Sequence, residues 1–345
     1  NYALDALTSA DNCIGVGHLA GSSLTTGDDN TYLGFSAGFT NTAASDNTAV
    51  GFQALYSATT GHSITALGHN ALFNNTTAIQ NTAVGMNALQ GATTGGENTA
   101  IGQDALKTCS TGTNNVAAGK NSLDAVTTGS TNVGLGYSAG GYITEGFDNT
   151  CVGDTTGIVL STGDNNLLVG HDAGRTGSPG GALTTANNFL CLGDENIANA
   201  HIQVDWTVAS DQRDKTDFRD LDVGLDFVNG LVPVTYKWDK RSKYGDKDDD
   251  DYDISTITHD GTHKEDWLDV GFKAQEVEAL EKAAGYKLSD KTNLTTTLSD
   301  DGKQYGIKYN KFVPILVKAI QELSAKNDTL ETANTALADR ITALE

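Results

Sequence analysis

The sequence predicts a mainly β protein: a parallel β-solenoid shaft of 17-residue repeats, then a small α+β domain ending in a coiled coil. Three observations carry that prediction. Residues 1–209 hold 3 Lys+Arg and 16 Asp+Glu, whereas residues 210–345 hold 19 and 28, so the charged fraction rises from about 9% to about 35% at Ser210. A glycine recurs every 17 residues through the first part, and an apolar heptad closes the second. These features divide the chain into a shaft (1–199), a linking strand (200–209), an α+β domain (210–312) and a terminal helix (313–345).

The repeat is the strongest local signal, and self-similarity at a fixed period outranks any residue-by-residue reading. Gly17, Gly34, Gly51, Gly68, Gly85, Gly102, Gly119, Gly136, Gly153 and Gly170 are spaced by 17, and Gly193 follows after six extra residues containing Pro179, Gly180 and Gly181. An aliphatic residue precedes nearly every one, as in Val50, Leu67 and Val84. Ala stands three residues after it in eight of ten repeats, followed by Leu in the central five and Gly toward both ends. Asn stands four residues before it in eight of ten, including Asn47, Asn81, Asn98 and Asn132.

Seventeen residues are too few for a helical repeat but suit one coil of a parallel solenoid, with Gly at corners needing φ > 0 and Asn in ladders. Alternation within Thr48, Ala49 and Val50 puts Thr48 and Val50 on one face, and the expectation is that this face lines the core. At about 4.8 Å per coil, eleven coils give a rod of roughly 50 Å. Few large apolar residues are available to fill it, so oligomerisation is expected. Counting back from Gly17 places Ala3 and Leu4 in the Ala-Leu columns. A chain beginning mid-repeat, and with Asn rather than Met, is expected to be part of a longer fibre. The phrase N-T-A-V-G-x-x-A-L resembles the head repeats of trimeric autotransporter adhesins and the shaft repeats of phage tail fibres, both trimeric β-rolls.

Chemistry concentrates where the composition changes, at Ala209-Ser210-Asp211-Gln212-Arg213-Asp214-Lys215. Downstream come Gly224-Leu225-Asp226-Phe227 running to Trp238, then Val270-Gly271-Phe272-Lys273-Ala274-Gln275-Glu276-Val277, Ile307-Lys308-Tyr309, and Val317 to Leu323. These blocks, over residues 210 to about 323, resemble the C-terminal intramolecular chaperone of phage endosialidases and tail fibres, the S74 peptidase domain. The resemblance implies a domain that trimerises the fibre and cuts its own chain just before the serine. Carried onto this sequence, Ser210 is the nucleophile, Lys215 the base, and the cut falls between Ala209 and Ser210. Asp211, Arg213, Gln275 and Glu276 match the motif as supporting residues. A neutral lysine amine can take a serine proton, provided burial or a cationic neighbour such as Arg213 favours the neutral form. Without the downstream blocks, the same six residues read as a polar turn.

The last residues repeat at spacings of four and three: Leu316, Ile320, Leu323, Asn327, Leu330, Asn334, Leu337, Ile341, Leu344. This is a coiled-coil pattern. Asn at a is more familiar in dimers, so a homotrimer is expected from the resemblances rather than from the heptad.

Other candidates read more blandly. Asp246–Asp253 lacks the Gly and final Glu of an EF-hand loop and is expected to be a solvated acidic loop. His259 and His263 have Gly261 between them and no third ligand, so no metal and no cofactor is expected. Thr31, Thr48, Thr65, Thr82 and Thr99 lack the second threonine column of an ice-matching face. Cys13, Cys109, Cys151 and Cys191 read as small buried thiols. A net charge of −22 disfavours nucleic acid, and no apolar run is long enough to span a membrane. The expected partners are two further copies, the upstream fibre and a host-cell receptor. The expected place is the virion, after synthesis in the host cytoplasm. A bacterial trimeric surface adhesin stalk without self-cleavage is the competing reading. It would want an outer-membrane anchor, and residues 310–345 show no such strand pattern.

Overall fold

The computed structural model describes residues 2–344 apart from Asp248 and Asp250. It divides into two compact units, residues 1–198 with 245–257 and residues 199–244 with 258–345.

The first unit is a parallel β-solenoid. Its eleven strands have three residues each: β1 (Ile14–Val16), β2 (Thr31–Leu33), β3 (Thr48–Val50), β4 (Thr65–Leu67), β5 (Thr82–Val84), β6 (Thr99–Ile101), β7 (Val116–Ala118), β8 (Val133–Leu135), β9 (Thr150–Val152), β10 (Leu167–Val169) and β11 (Leu190–Leu192). They form one sheet in sequence order, each paired in parallel with the next, so that Thr48 faces Thr65 and Ala49 faces Ala66. The six extra residues leave this register intact, since Leu167 still pairs with Leu190. A turn held by Ser178 absorbs them: its hydroxyl donates to the Arg175 carbonyl (2.7 Å) and accepts from the Gly174 N–H (3.1 Å).

Three columns explain why the period is exact. The corner glycines sit at φ near +137°, as at Gly85, where a Cβ would also overlap the carbonyl of Gly102 in the next coil. Only glycine satisfies both conditions. In the asparagine column, Asn81 Oδ1 accepts from the Asn98 backbone N–H (2.9 Å), while Asn98 Nδ2 donates to the Gly112 carbonyl (2.9 Å). Each buried amide thus bonds the backbone of the following coil twice, as Asn98 does with the Asn115 N–H and the Gly112 carbonyl, at about 1 kcal/mol net per bond. The third column is the residue after the Ala, and it adopts left-handed φ even where it is leucine: Leu55 (54°), Leu72 (52°), Leu89 (51°), Leu106 (50°) and Leu123 (51°). That conformation costs a leucine about 1–2 kcal/mol. Full burial of the side chain, about 1.5–3 kcal/mol, offsets it.

These leucines also decide what the strands can place inside. Where leucine occupies the left-handed position, the middle strand residue is Ala49, Ala66, Ala83 or Ala100. Where glycine replaces it, at Gly21, Gly38, Gly157 and Gly174, the freed space is taken by Tyr32, Cys151 or Leu168. The expected strand orientation is therefore corrected. Thr48 and Val50 do share a face, but it is the outer one, and Ala49 points inward. The outer face carries Ile14, Val16, Leu33, Ile101, Val116, Leu135, Leu167, Leu190 and Leu192, all exposed. Beside it runs a stacked ladder of His18, Phe35, Phe52 and His69, with ring centroids 5.0–5.3 Å apart.

The thiols behave as small apolar groups. Cys109, Cys151 and Cys191 are buried and Cys13 is half-buried, all unpaired. Burial pushes Cys109 up to about 11 and Cys151 up to about 12. Residues 245–257 belong to this unit, and Lys247 pairs there with Glu195. The acidic-loop reading falls partly on Asp248 and Asp250, outside the described residues. Among the described ones, Asp249 and Asp253 cap local turns, accepting from the Asp251 and Ser255 N–H groups.

The second unit is small and mixed. It contains α1 (Leu225–Gly230), β12 (Val234–Tyr236), β13 (Asp269–Gly271), α2 (Ala274–Ala283), β14 (Thr296–Leu298), β15 (Tyr305–Ile307) and α3 (Phe312–Thr342). Two antiparallel ribbons, β12–β13 and β14–β15, surround a core of Val223, Phe227, Val277, Phe312 and Ile315. From Leu323 onward the described residues of α3 are exposed, its apolar stripe included.

Candidate functional site

Residues 210–215 fold into one short turn, and the sequence shows why. Asp211 is an N-cap: its carboxylate accepts from the Arg213 N–H (2.9 Å), nucleating a 3₁₀ turn over Gln212–Asp214. The turn ends when the Lys215 N–H donates to the Gln212 carbonyl (3.2 Å). One tight turn carries residue 215 back to residue 210. Lys215 Nζ then donates to Ser210 Oγ at 2.5 Å.

The neighbours take distinct parts. Arg213 binds Asp211 through both Nε and the terminal nitrogen (2.6 Å), so its charge is engaged within the turn. The guanidinium holds the Asp211 carboxyl below its ordinary range. Gln275 and Glu276 lie in the first turn of α2, both exposed, and Glu276 pairs with Lys273 (2.8 Å). No hydrogen bond joins either to Ser210 or Lys215. Glu276 lines a groove of about 330 Å³ with Leu231, Phe272 and Leu280. His263 packs edge-on against Tyr244, and His259 is exposed. Among the described residues no three His, Cys, Asp or Glu side chains are grouped to hold a metal.

Sequence reasoning missed the residues that lock the domain. Glu322 of α3 accepts from the Leu225 N–H (2.8 Å), capping α1, whose own N-cap, Gly224, has no side chain. A Cβ at Gly224 would strike that carboxylate. Tyr309 Oη accepts from the Phe272 N–H (3.2 Å), and a side chain on Gly271 would displace it. Glu281 is buried beneath β14. Burial pushes its carboxyl up, but hydrogen bonds from the side chains and N–H groups of Thr295 and Thr296 outweigh this and hold it below its ordinary range. The separated blocks of the sequence thus meet as contacts.

Residues 210–286 match the family model for the chaperone of endosialidase, peptidase S74. The C-terminal part of the chain is an S74 chaperone domain. The match begins at Ser210 itself and ends at Tyr286, so Tyr309, α3 and Glu322 lie beyond it. The S74 match and the parallel solenoid together fit a fibre chain with a chaperone-type C-terminal domain. No curated protein and no solved structure matches the chain. No helix among the described residues is long and apolar enough to cross a membrane.

Proposed function

We propose that the chain is a segment of a bacteriophage tail fibre whose S74 domain assembles three copies and then severs itself between Ala209 and Ser210. The Ser210 Oγ attacks the Ala209 carbonyl carbon while the neutral amine of Lys215 takes the hydroxyl proton. That proton passes to the Ser210 nitrogen as the C–N bond breaks, leaving an ester between Ala209 and the serine oxygen. Water hydrolyses the ester to an Ala209 carboxylate and a free Ser210 hydroxyl, with a new amino terminus at Ser210. One turnover per chain suffices, and no external substrate or cofactor is needed.

The observation that carries this reading is the Ser210–Lys215 contact, at the residue where the matched segment begins. Assembly is supported by two unpartnered apolar surfaces, the outer face of the solenoid sheet and the stripe of Leu316, Ile320, Leu323, Leu330, Leu337 and Ile341 on α3. Their burial between copies would supply the core a thin solenoid lacks. The shaft then stands between the upstream fibre and a host-cell receptor, in the virion.

The test is the intact mass of the denatured recombinant chain. Wild type is expected as two pieces of 209 and 136 residues, the lengths on either side of the 209–210 bond. Ser210→Ala and Lys215→Ala are expected as whole, trimeric chains. Cutting at that bond in Ser210→Ala would overturn the assignment of the nucleophile.

A further inference from the structure

Eleven residues immediately before Ser210 have no hydrogen-bond partner among the described residues. Among the described residues, none donates to or accepts from the backbone or side chains of residues 199–209. Yet their pattern is that of a strand. Ile202, Val204, Trp206 and Val208 are 52–72% exposed and alternate with Gln203, Asp205, Thr207 and Ala209. Strict alternation of β-branched and aromatic residues with polar ones gives a strand with one apolar face, and a strand alone cannot bury it.

The chain's own sheets do not take it up: β12 pairs with β13 and β14 with β15, and residues 202–208 join neither ribbon. Further copies of the same segment fit. The apolar face carries no charge, and Asp205 is the only acid from 202 to 208, on the other face, so identical strands meet without like charges inside. The α3 stripe of the same unit is also unpartnered, and parallel association through it would bring equivalent residues of each copy to the same level.

This strand ends at the reaction. Ser210 and Lys215 already touch within one chain, but both are exposed. Proximity is therefore not what assembly must add. A lysine amine acts as a base only when neutral, and removal from water is what favours the neutral form.

We propose that residues 202–208 are an assembly-sensing strand: pairing with the same segment of two further copies, apolar face inward, it closes the junction and removes Ser210 and Lys215 from water. The proposal rests on the self-processing reading above and adds to it the element that times the cut.

The experiment uses the full chain with Trp238→Phe and Trp267→Phe, leaving Trp206 as its single tryptophan. In the uncut Ser210→Ala background, Trp206 emission should move to shorter wavelength and resist quenching by iodide as the chains assemble. Emission that stays that of water-exposed tryptophan in the assembled protein overturns the proposal. Val204→Asp, on the inner face, should slow cleavage by about tenfold or more, because an unpaired charge must be buried to close the strand. Gln203→Asp adds the same charge on the outer face and should cut at the wild-type rate. Equal cleavage of both variants also overturns it. Wild-type chains that assemble with Trp206 buried yet stay whole would support the strand and overturn the processing reading instead.

Discussion

The two units of this chain satisfy their backbones in opposite ways. In the solenoid each coil bonds the next, so Leu55 N–H reaches the Ala71 carbonyl (2.9 Å) and Asn115 Nδ2 reaches the Gly129 carbonyl (2.9 Å). The bonding partner lies one period away, and strength grows by repetition. In the second unit the decisive contacts are single and distant in sequence, such as Glu322 with Leu225, 97 residues apart. The difference teaches where each unit is vulnerable. One wrong residue in the solenoid damages a column, while one wrong residue in the second unit removes a contact that nothing duplicates.

The largest expected effect tests the column. Gly85→Val places a side chain on the carbonyl of Gly102 at φ +137°, so the two coils must separate. A loss of more than about 3 kcal/mol is expected, read as missing β-structure by circular dichroism or as insoluble chains. If the variant folds with an unchanged melting temperature, the close packing of this corner is wrong.

Next comes the single contact. Glu281→Ala strands the N–H groups of Thr295 and Thr296 under cover, and about 3 kcal/mol of destabilisation is expected in chemical denaturation. Because the carboxyl is held below its ordinary range, its contribution is present above the unfolded pKa and is lost as pH falls through the folded one. Wild type should therefore lose stability on acidification below about pH 4 more steeply than Glu281→Gln. Parallel acid profiles would remove the clamp from the account.

A third substitution should stabilise. Asn75 is fully buried, and neither of its side-chain polar atoms has a hydrogen-bond partner, whereas the equivalent positions of adjacent coils are Ala58 and Ala92. Asn75→Ala should raise stability by about 1–3 kcal/mol, seen as a higher melting temperature of the shaft. A lower one would mean that the amide is satisfied.

The smallest effect lies at His171. Its imidazole is raised above its ordinary range by the hydrogen bond to Asp194 (3.1 Å) and by Asp172 and Asp154, while Arg175 engages Asp172. The stability it adds is complete below the unfolded pKa and disappears as pH rises through the folded value. The ring is more than half exposed, so a few tenths of a kcal/mol is expected between pH 6 and 8, absent in His171→Gln.

How much of this was legible in the sequence follows from the same contrast. A 17-residue period names its own partners, so the glycine corners, the asparagine ladder and the parallel sheet could be read from spacing. The inward face could not. A three-residue strand with Ala in the middle and Val at its end is apolar on both sides, so its pattern does not choose a face; the middle residue turns inward in every type of coil, as Ala49, Tyr32 and Leu168 show, and the left-handed leucines set only how large it can be. In the second unit Ser210 and Lys215 were singled out by the resemblance of their motif, and their contact lies within one turn, five residues apart. The Glu322 and Tyr309 locks were not, since no local pattern announces a carboxylate that caps a helix nearly a hundred residues away.

The six additional residues between Gly174 and Leu183 carry a practical consequence. They leave the ladder on both sides undisturbed, because the excess is gathered into a turn that closes on itself through Ser178. A solenoid that admits one such excursion has a natural attachment point for foreign peptide at that corner. An epitope or affinity tag spliced beside Gly180, where no neighbouring atom lies within 4 Å of a Cβ, would be displayed on the outside of the shaft without disturbing the strands that carry it.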